Sequence, residues 1–262
     1  MKTKKILFGI GATLGLGAGL VACKDSFLSQ QPQGALSEVA LQNEKGVYAA
    51  LIGAYSMLDG WAGDWTHGST WFSAGSNWVW GSVVSDDSYK GTDIGDQSDL
   101  NPIERYEVLP TNPYLQGKWG NVYAGVARAN ATIELMRKTQ GLPADKVKSF
   151  TAEARFLRGH YHFEAKKVFN NVPYIGDEVW QAFSGGNQDA VKVPNDKDIW
   201  PNINDDLKFA SDNLPESFTE VGRVNKWAGK AMYAKALVFQ GKHAEALVVL
   251  NDVIANGKTS NG

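Results

Sequence analysis

The feature that most restricts the fold is a helical repeat of apolar residues in the second half of the chain. Apolar residues recur every three or four positions through 115–168, and the pattern returns in 198–256. This spacing puts apolar side chains on one face of each helix. Gly141 and Pro143 predict a break in the first stretch, and Gly241 predicts one in the second. Because no run of alternating apolar residues predicts strands, we expect a mainly α-helical protein.

The last two predicted helices, 225–240 and 243–256, have the residue spacing of tetratricopeptide helix hairpins. Small residues let antiparallel helices approach closely, and large residues fill the groove between them. An ordinary helical hairpin is the alternative, because one repeat is a weak signal. A helix at 198–214, ended by Pro215, precedes the pair. The residues that carry the hairpin pattern are Ala234, Leu237, Gly241, Ala246 and Leu250.

An aromatic segment with weak periodicity, 60–112, separates this helical half from a first predicted helix at 37–58, which Ser37 could cap. The segment holds five of the nine tryptophans. Its aromatic content argues against disorder. Long loops in a compact domain are often functional. We therefore predict long aromatic-rich loops here, with a short helix near 76–84.

The first 22 residues have the pattern of a secretory signal peptide: three lysines, a short apolar run and small residues at its end. The apolar run, 6–21, is shorter than the ~20 residues that a membrane-spanning helix needs. The only cysteine, Cys23, follows directly. Leu20-Val21-Ala22-Cys23 resembles the lipobox of bacterial lipoproteins, although the cysteine could be incidental. We expect cleavage after 1–22, acylation of Cys23, and a lipidated tether at 23–36.

Several classes of function are not supported by the sequence. The formal net charge of −2 does not predict nucleic-acid binding. Asp93, Asp96 and Asp99 do not fit a calcium-binding EF-hand loop, and we expect a solvated acidic loop. His160 and His162 point in different directions on a helix, so we expect surface or partly buried side chains rather than zinc ligands. No metal ion and no cofactor are predicted.

Catalysis is not predicted either. A glycosidase needs two carboxylates at a fixed separation, and the sequence pairs no two of its acidic residues. Glu153 with Arg155 or Arg158 is expected to form internal ion pairs of the helical scaffold. No G-x-S-x-G motif is present. A surface hydrolase is therefore a remote alternative, and we expect a protein that is not an enzyme.

One part of the aromatic segment has the composition of a sugar-binding site. An aromatic ring can stack on the C–H face of a sugar, while carboxylates and amides accept or donate hydrogen bonds to its hydroxyl groups. Neither group has to move a proton. The alternative is that Trp78 or Trp80 packs in the core. The predicted ligand-binding residues are Asn77, Trp78, Trp80, Asp86, Asp87 and Tyr89.

Four segments, in this order, resemble the SusD/RagB family of nutrient-binding lipoproteins. The segments are Cys23-Lys-Asp-Ser-Phe-Leu; Trp119-Gly-Asn-Val-Tyr123 with Ala129-Asn130; Ala152-Glu-Ala-Arg-Phe-Leu-Arg-Gly-His-Tyr-His-Phe163 with Phe169-Asn-Asn-Val-Pro173; and Asp205-Asp-Leu207 through Leu214-Pro215 to Gly222-Arg223. The family usually has alanine at the position of Gly159 and glycine at that of Asn170. Asparagine tolerates the left-handed backbone that follows a helix, so the second difference is mild.

The resemblance implies a SusD-like N-terminal helical domain at 37–262, with tetratricopeptide-like hairpins. Family members are about twice as long, so the domain is expected to be incomplete and the chain truncated at its C-terminus. Helices without their partners would expose apolar faces, which predicts marginal stability or aggregation.

The resemblance also implies a function. Such a protein would be lipid-anchored in the outer membrane, facing the cell exterior, and would bind an oligosaccharide or another nutrient. It would deliver this ligand to a TonB-dependent β-barrel transporter. The alternative is a tetratricopeptide-like protein–protein interaction module that binds no glycan.

Overall fold

The computed structural model describes residues 38–59, 78–85, 87–91, 93 and 95–259. The predicted signal peptide, Cys23 and the tether lie outside the described residues. Contacts divide the chain after Glu38, and the fold described below is that of the unit from Val39 onward. None of the helices within the described ranges is both long enough and apolar enough to span a membrane.

The protein is mainly α-helical, as predicted, and the described residues contain no β-strand. Shorter turns of other helix types are a 3-10 turn at Ser56–Asp59, a π-helical turn at Trp78–Val83 and a 3-10 turn at Gln188–Val191. The α-helices are α1 (Glu38–Leu41), α2 (Glu44–Tyr55), α3 (Leu100–Glu104), α4 (Pro113–Lys138), α5 (Ala144–Phe169), α6 (Asp177–Ser184), α7 (Trp200–Asn213), α8 (Lys226–Phe239) and α9 (His243–Asn256).

Helices α4 and α5 form the centre of the fold, and each is 26 residues long. The side chain of Asn112 accepts a hydrogen bond from the backbone N–H of Tyr114 and caps α4. Gly141, with φ of +76°, makes the predicted break between the helices. The two helices approach closely at Gly125, where a Cβ atom would lie 2.6 Å from the ring of Tyr161. The main core is shared by α2, α4, α5 and α7.

Residues from two of the segments that carry the family resemblance pack together beside this core. The rings of Trp119 and Tyr123 have centroids 4.6 Å apart, and Phe169 meets Trp119 edge-on at 5.1 Å. The Tyr123 hydroxyl donates to the backbone oxygen of Pro173 at 2.7 Å. Asn170, with φ of +60°, ends α5 in the left-handed region, as the sequence predicts. These contacts fix the chain that leaves α5 against α4.

The last two helices form the predicted hairpin. Ala234, Leu237 and Ala246 are buried between helices, and Gly241 has φ of +72° in the turn. On α9, Ala246 is the residue that is buried. The outer face of α9 is apolar and exposed, with Ile254 81% exposed.

The structure differs from the sequence prediction in two places. The predicted helix 37–58 is broken between α1 and α2, where the side chain of Asn43 accepts from the Gly46 N–H at 3.0 Å and caps α2. Gly46 lies so close to α1 that a Cβ atom would be 2.2 Å from the Leu41 carbonyl oxygen. The short helices α3 and α6 were not predicted, because short segments carry little periodicity. The predicted helix at 76–84 is the π-helical turn.

Candidate functional site

Within the aromatic segment, the π-helical turn packs on α3 and on the start of α4, and the three form a small second core. It consists of Val79, Trp80, Leu100, Ile103 and Tyr114. The side chain of Trp80 is only 8% exposed, and Trp78 is partly buried against the same cluster. Burial of the Trp80 ring gives no support to its predicted role as a ligand contact, which stays a prediction.

The other predicted ligand residues divide into two groups. Asn77 and Asp86 lie outside the described residues. Asp87 is exposed, and Tyr89 is 69% exposed. Asp87 and Tyr89 line the same cleft, so the structure brings together two of the six predicted residues.

This cleft, which we call the tyrosine cleft, has a volume of about 780 Å³. That size is within the range of ligand-binding pockets. Its two rings, Tyr89 and Tyr106, are 69% and 74% exposed, which is unusual for large aromatic side chains. The tyrosine cleft is lined by Ser85, Asp87, Ser88, Tyr89, Glu104 and Tyr106.

The backbone holds Tyr106 in an uncommon conformation. Its φ is +60°, which for a bulky residue costs on the order of 1–3 kcal/mol. Its hydroxyl donates to the backbone oxygen of Val84 at 2.7 Å, so the ring is tied to the end of the π-helical turn. Strained residues of this kind cluster at binding sites.

Polar groups stand beside the rings. The Oε2 atom of Glu104 accepts from the backbone N–H of Lys90 at 3.2 Å, and the Asp87 N–H donates to Ser85 Oγ at 3.3 Å. The hydroxyl oxygen of Ser88 is buried and has no hydrogen-bond partner among the described residues. The cleft therefore combines two open ring faces with carboxylates and hydroxyls.

The sequence did not single out Glu104, Tyr106, Ser85 or Ser88 for this cleft. Glu104 ends α3 and Tyr106 follows it, so both reach the cleft only because α3 packs on the π-helical turn. The signal in the sequence that could have identified this cleft was Tyr106, an aromatic residue of the segment 60–112, which was already predicted to be functional.

The predicted acidic loop has its three aspartates exposed, at Asp93, Asp96 and Asp99. Two backbone oxygens of this loop accept hydrogen bonds from the ammonium group of Lys90. Within the described ranges, no cluster of three or more His, Cys, Asp or Glu side chains could hold a metal ion.

Glu153, Arg155 and Arg158 form ion pairs within the helical scaffold, as predicted, but their partners are residues of other segments rather than one another. Glu153 is buried and pairs with Arg223, and Arg155 and Arg158 both pair with Asp206 on α7. Burial alone would raise the pKa of Asp206, but the two guanidinium groups lower it below its usual value. The Asp206 pairs hold α5 to α7, the Arg223 pair holds α5 to the segment before α8, and the lining of the tyrosine cleft includes none of these side chains.

The prediction for His162 is wrong, because this side chain is fully buried rather than on the surface or partly buried. Its Nε2 accepts from the Ile175 N–H at 3.1 Å, and its Nδ1 lies 3.0 Å from the Arg158 carbonyl oxygen. Both ring nitrogens thus have backbone partners. Burial lowers the pKa of His162 to about 4. His160 is partly buried, as predicted.

Comparison with known proteins identifies relatives along most of the chain. The SusD-like family, described as starch-binding and associating with the outer membrane, matches residues 73–237. A SusD-like protein of Bacteroides ovatus is 26% identical over 243 residues, which cover 90% of this chain and 39% of the relative. SusD-like protein P2 of Formosa agariphila is 25% identical over 263 residues, covering 98% of this chain and 47% of the relative.

Solved structures show the same fold. A laminarin-binding SusD-like protein is 25% identical, with a TM-score of 0.62 over 80% of this chain and 43% of its own. Surface glycan-binding protein A from Bacteroides thetaiotaomicron, solved in complex with laminarihexaose, is 20% identical, with a TM-score of 0.64 over 81% of this chain and 43% of its own. The chain spans less than half the length of these relatives. Since the family match covers more than half of the chain, the protein belongs to the SusD/RagB family.

Proposed function

We propose that this protein is a cell-surface lipoprotein that binds an oligosaccharide non-covalently in the tyrosine cleft. The observation that carries the proposal is the pair of open rings, Tyr89 and Tyr106, which are 69% and 74% exposed above a cleft lined by Asp87 and Glu104. A sugar presents apolar C–H faces to rings and hydroxyl groups to carboxylates. The site therefore suits a neutral sugar chain.

The expected setting of this function follows from the N-terminus and the family. Acylation of Cys23 would anchor the protein in the outer membrane, facing the exterior, and a TonB-dependent transporter would receive the ligand. The family's description as associating with the outer membrane supports this setting. The relatives named for binding laminarin or surface glycans support a glycan as the ligand.

Affinity electrophoresis in gels containing laminarin or starch tests the ligand. We expect retardation by one of these glycans, and we expect Tyr89→Ala or Tyr106→Ala to reduce the affinity at least about tenfold, which corresponds to about 1.4 kcal/mol of binding free energy. Tyr89→Phe keeps the ring and is the matched control, so it should stay close to the wild type.

Other results of this experiment would favour a protein–protein interaction module or a surface hydrolase. Absence of retardation by any glycan in a broad panel would favour the interaction module. Release of reducing ends from a glycan would favour the hydrolase. Equal retardation of the wild type and both alanine variants would move the glycan site away from the tyrosine cleft.

The anchor is tested separately. Mass spectrometry of the mature protein should find an acylated N-terminal residue at position 23, and Cys23→Ala should move the protein from the membrane fraction to the soluble fraction. An unmodified Cys23 in the mature protein would contradict the proposed anchor.

A further inference from the structure

Lys90 directly follows Tyr89, and it is only 6% exposed although it lies in a loop. Burial of an ammonium group is unfavourable unless the charge is compensated by hydrogen bonds. Its Nζ donates to the backbone oxygen of Asp93 at 2.8 Å and also to that of Asp96. Both acceptors are described residues of the loop 90–99, so the ammonium group joins two points of this loop.

The same loop is organised by further hydrogen bonds. The Oδ1 atom of Asp93 accepts from the Gly95 N–H at 2.8 Å and from the Asp96 N–H at 3.2 Å. At the far end, the side-chain amide of Asn112 donates to the Asp99 carbonyl oxygen at 2.8 Å, which ties the loop to the start of α4. A positive charge also suits a loop that contains three exposed carboxylates.

Lys90 connects this loop to the tyrosine cleft. Its backbone N–H donates to Oε2 of Glu104 at 3.2 Å, and Glu104 lines the cleft. Its neighbour Tyr89 lines the cleft too. The side chain of Lys90 therefore binds backbone oxygens of this loop, while its backbone adjoins Tyr89 and Glu104, which line the tyrosine cleft.

We propose that Lys90 is the positioning residue of the tyrosine cleft, an internal cation that binds the backbone oxygens of Asp93 and Asp96 and so holds Tyr89 and Glu104 in place for the ligand. The ammonium group takes the place that a metal ion has in acidic calcium-binding loops, where backbone oxygens also serve as ligands. This inference rests on the proposed function. It assigns to Lys90 a role in which it does not touch the sugar.

The test compares Lys90→Met, which keeps an unbranched side chain without its charge, with Lys90→Arg, which keeps a cation. Hydrogen exchange of the Gly95 and Asp96 amides reports the stability of the loop's hydrogen bonds, and calorimetric titration with laminarihexaose reports affinity. We expect Lys90→Met to speed exchange at both amides and to raise the Kd about tenfold. Lys90→Arg should keep both the amide exchange rates and the Kd close to those of the wild type. Lys192→Met, at a lysine paired on the surface with Asp189, is the matched control and should change neither.

The outcomes separate a positioning role from a merely structural one. Faster exchange confined to the loop, with exchange in α4 and α5 unchanged, supports the proposal. Unchanged exchange at Gly95 and Asp96, or an unchanged Kd in Lys90→Met, overturns it. If the methionine variant does not fold, Lys90→Gln, which keeps a donor without the charge, is compared in the same two measurements. If the wild type is retarded by starch rather than laminarin, maltohexaose replaces laminarihexaose in the titration. Absence of wild-type binding to any glycan contradicts the proposed function, whereas wild-type binding with an unaltered Kd in Lys90→Met rejects only the role of Lys90.

Discussion

The two aromatic residues Trp80 and Tyr106 belong to the same aromatic segment but have different physical roles. The Trp80 ring is buried in the small second core, whereas the Tyr106 ring is 74% exposed. Replacement of a buried tryptophan by alanine leaves a cavity, which usually costs about 3–5 kcal/mol. Replacement of an exposed ring costs little stability.

This contrast gives the first prediction at the residue scale. Trp80→Ala should lower the free energy of unfolding by about 3 kcal/mol or more. Tyr106→Ala should lower it by less than about 1 kcal/mol, because the ring is exposed and alanine adopts the same positive φ at a similar cost. Urea denaturation measures both. A Trp80→Ala variant as stable as the wild type would show that this ring does not pack as described.

The buried imidazole of His162 leads to a second residue-scale prediction, on pH. Its pKa is about 4 in the folded protein, against roughly 6.5 in an unfolded chain. As the pH falls below about 6.5, the unfolded chain takes up this proton first, so stability is lost between pH 6.5 and 4. We expect a loss of about 2 kcal/mol by pH 5 from this group.

Urea denaturation at pH 7.5, 6 and 5 measures this loss. His160, whose pKa burial also lowers to about 4, acts in the same direction. The His162→Gln variant should be less stable at pH 7.5 but should lose less stability on acidification. An identical pH slope in this variant would rule out His162 as the source.

At the scale of helices, the contact between α5 and α7 depends on a buried charge. Asp206 is fully buried and receives hydrogen bonds from Arg155, Arg158 and the hydroxyl of Tyr174. Gly159 lies opposite, where a Cβ atom would be 3.0 Å from the Cβ of Asp206. This close approach explains why glycine suits this position in the present chain.

Removing the buried carboxylate of Asp206 should destabilise the protein far more than removing the exposed carboxylate of Asp205. Asp206→Ala leaves Arg158 buried without its main partner, and we expect a loss of about 3–5 kcal/mol. Asp205, whose side chain is 78% exposed, pairs with Arg155 at the surface, so Asp205→Ala should cost at most about 1 kcal/mol. Thermal denaturation of the two variants makes the comparison. Equal losses of stability in the two variants would show that burial of the Asp206–Arg158 pair is not what stabilises the contact between α5 and α7.

At the scale of the whole molecule, the outer face of α9 is an exposed apolar surface of the described residues. Leu247 and Ile254, seven residues apart and therefore on one helix face, are 58% and 81% exposed, and Val248 beside them is 72% exposed. A contiguous apolar face of this kind favours association. The sequence predicts exposed apolar helix faces of this kind.

We expect the protein to self-associate as its concentration rises. The double variant Leu247→Glu, Ile254→Glu should shift the mass towards the monomer in sedimentation experiments. Val221→Glu is the matched control, because Val221 is also exposed, at 76%, but lies in a loop. A wild type that stays monomeric at high concentration would contradict this prediction.

The sequence by itself determined the long helices from 113 onward. The apolar periodicity, Gly141 and Gly241 are local signals, and helices of 14 to 26 residues carry enough of them to be recognised. The hairpin pattern and the left-handed Asn170 were also predictable, because each depends on neighbouring residues only. The same local character is why the break at Asn43 was missed: it depends on the close contact of Gly46 with α1.

Only the tertiary structure decided which polar and aromatic groups meet. Tyr89 and Tyr106 are 17 positions apart, and their shared cleft exists because α3 packs on the π-helical turn. Whether Trp80 or Tyr106 would be buried could not be read from composition, since both are aromatic residues in one weakly periodic segment. Burial of His162 and of Lys90 likewise depends on contacts between segments. The physical reason is that helix periodicity is a property of consecutive residues, whereas a binding site is a property of packing.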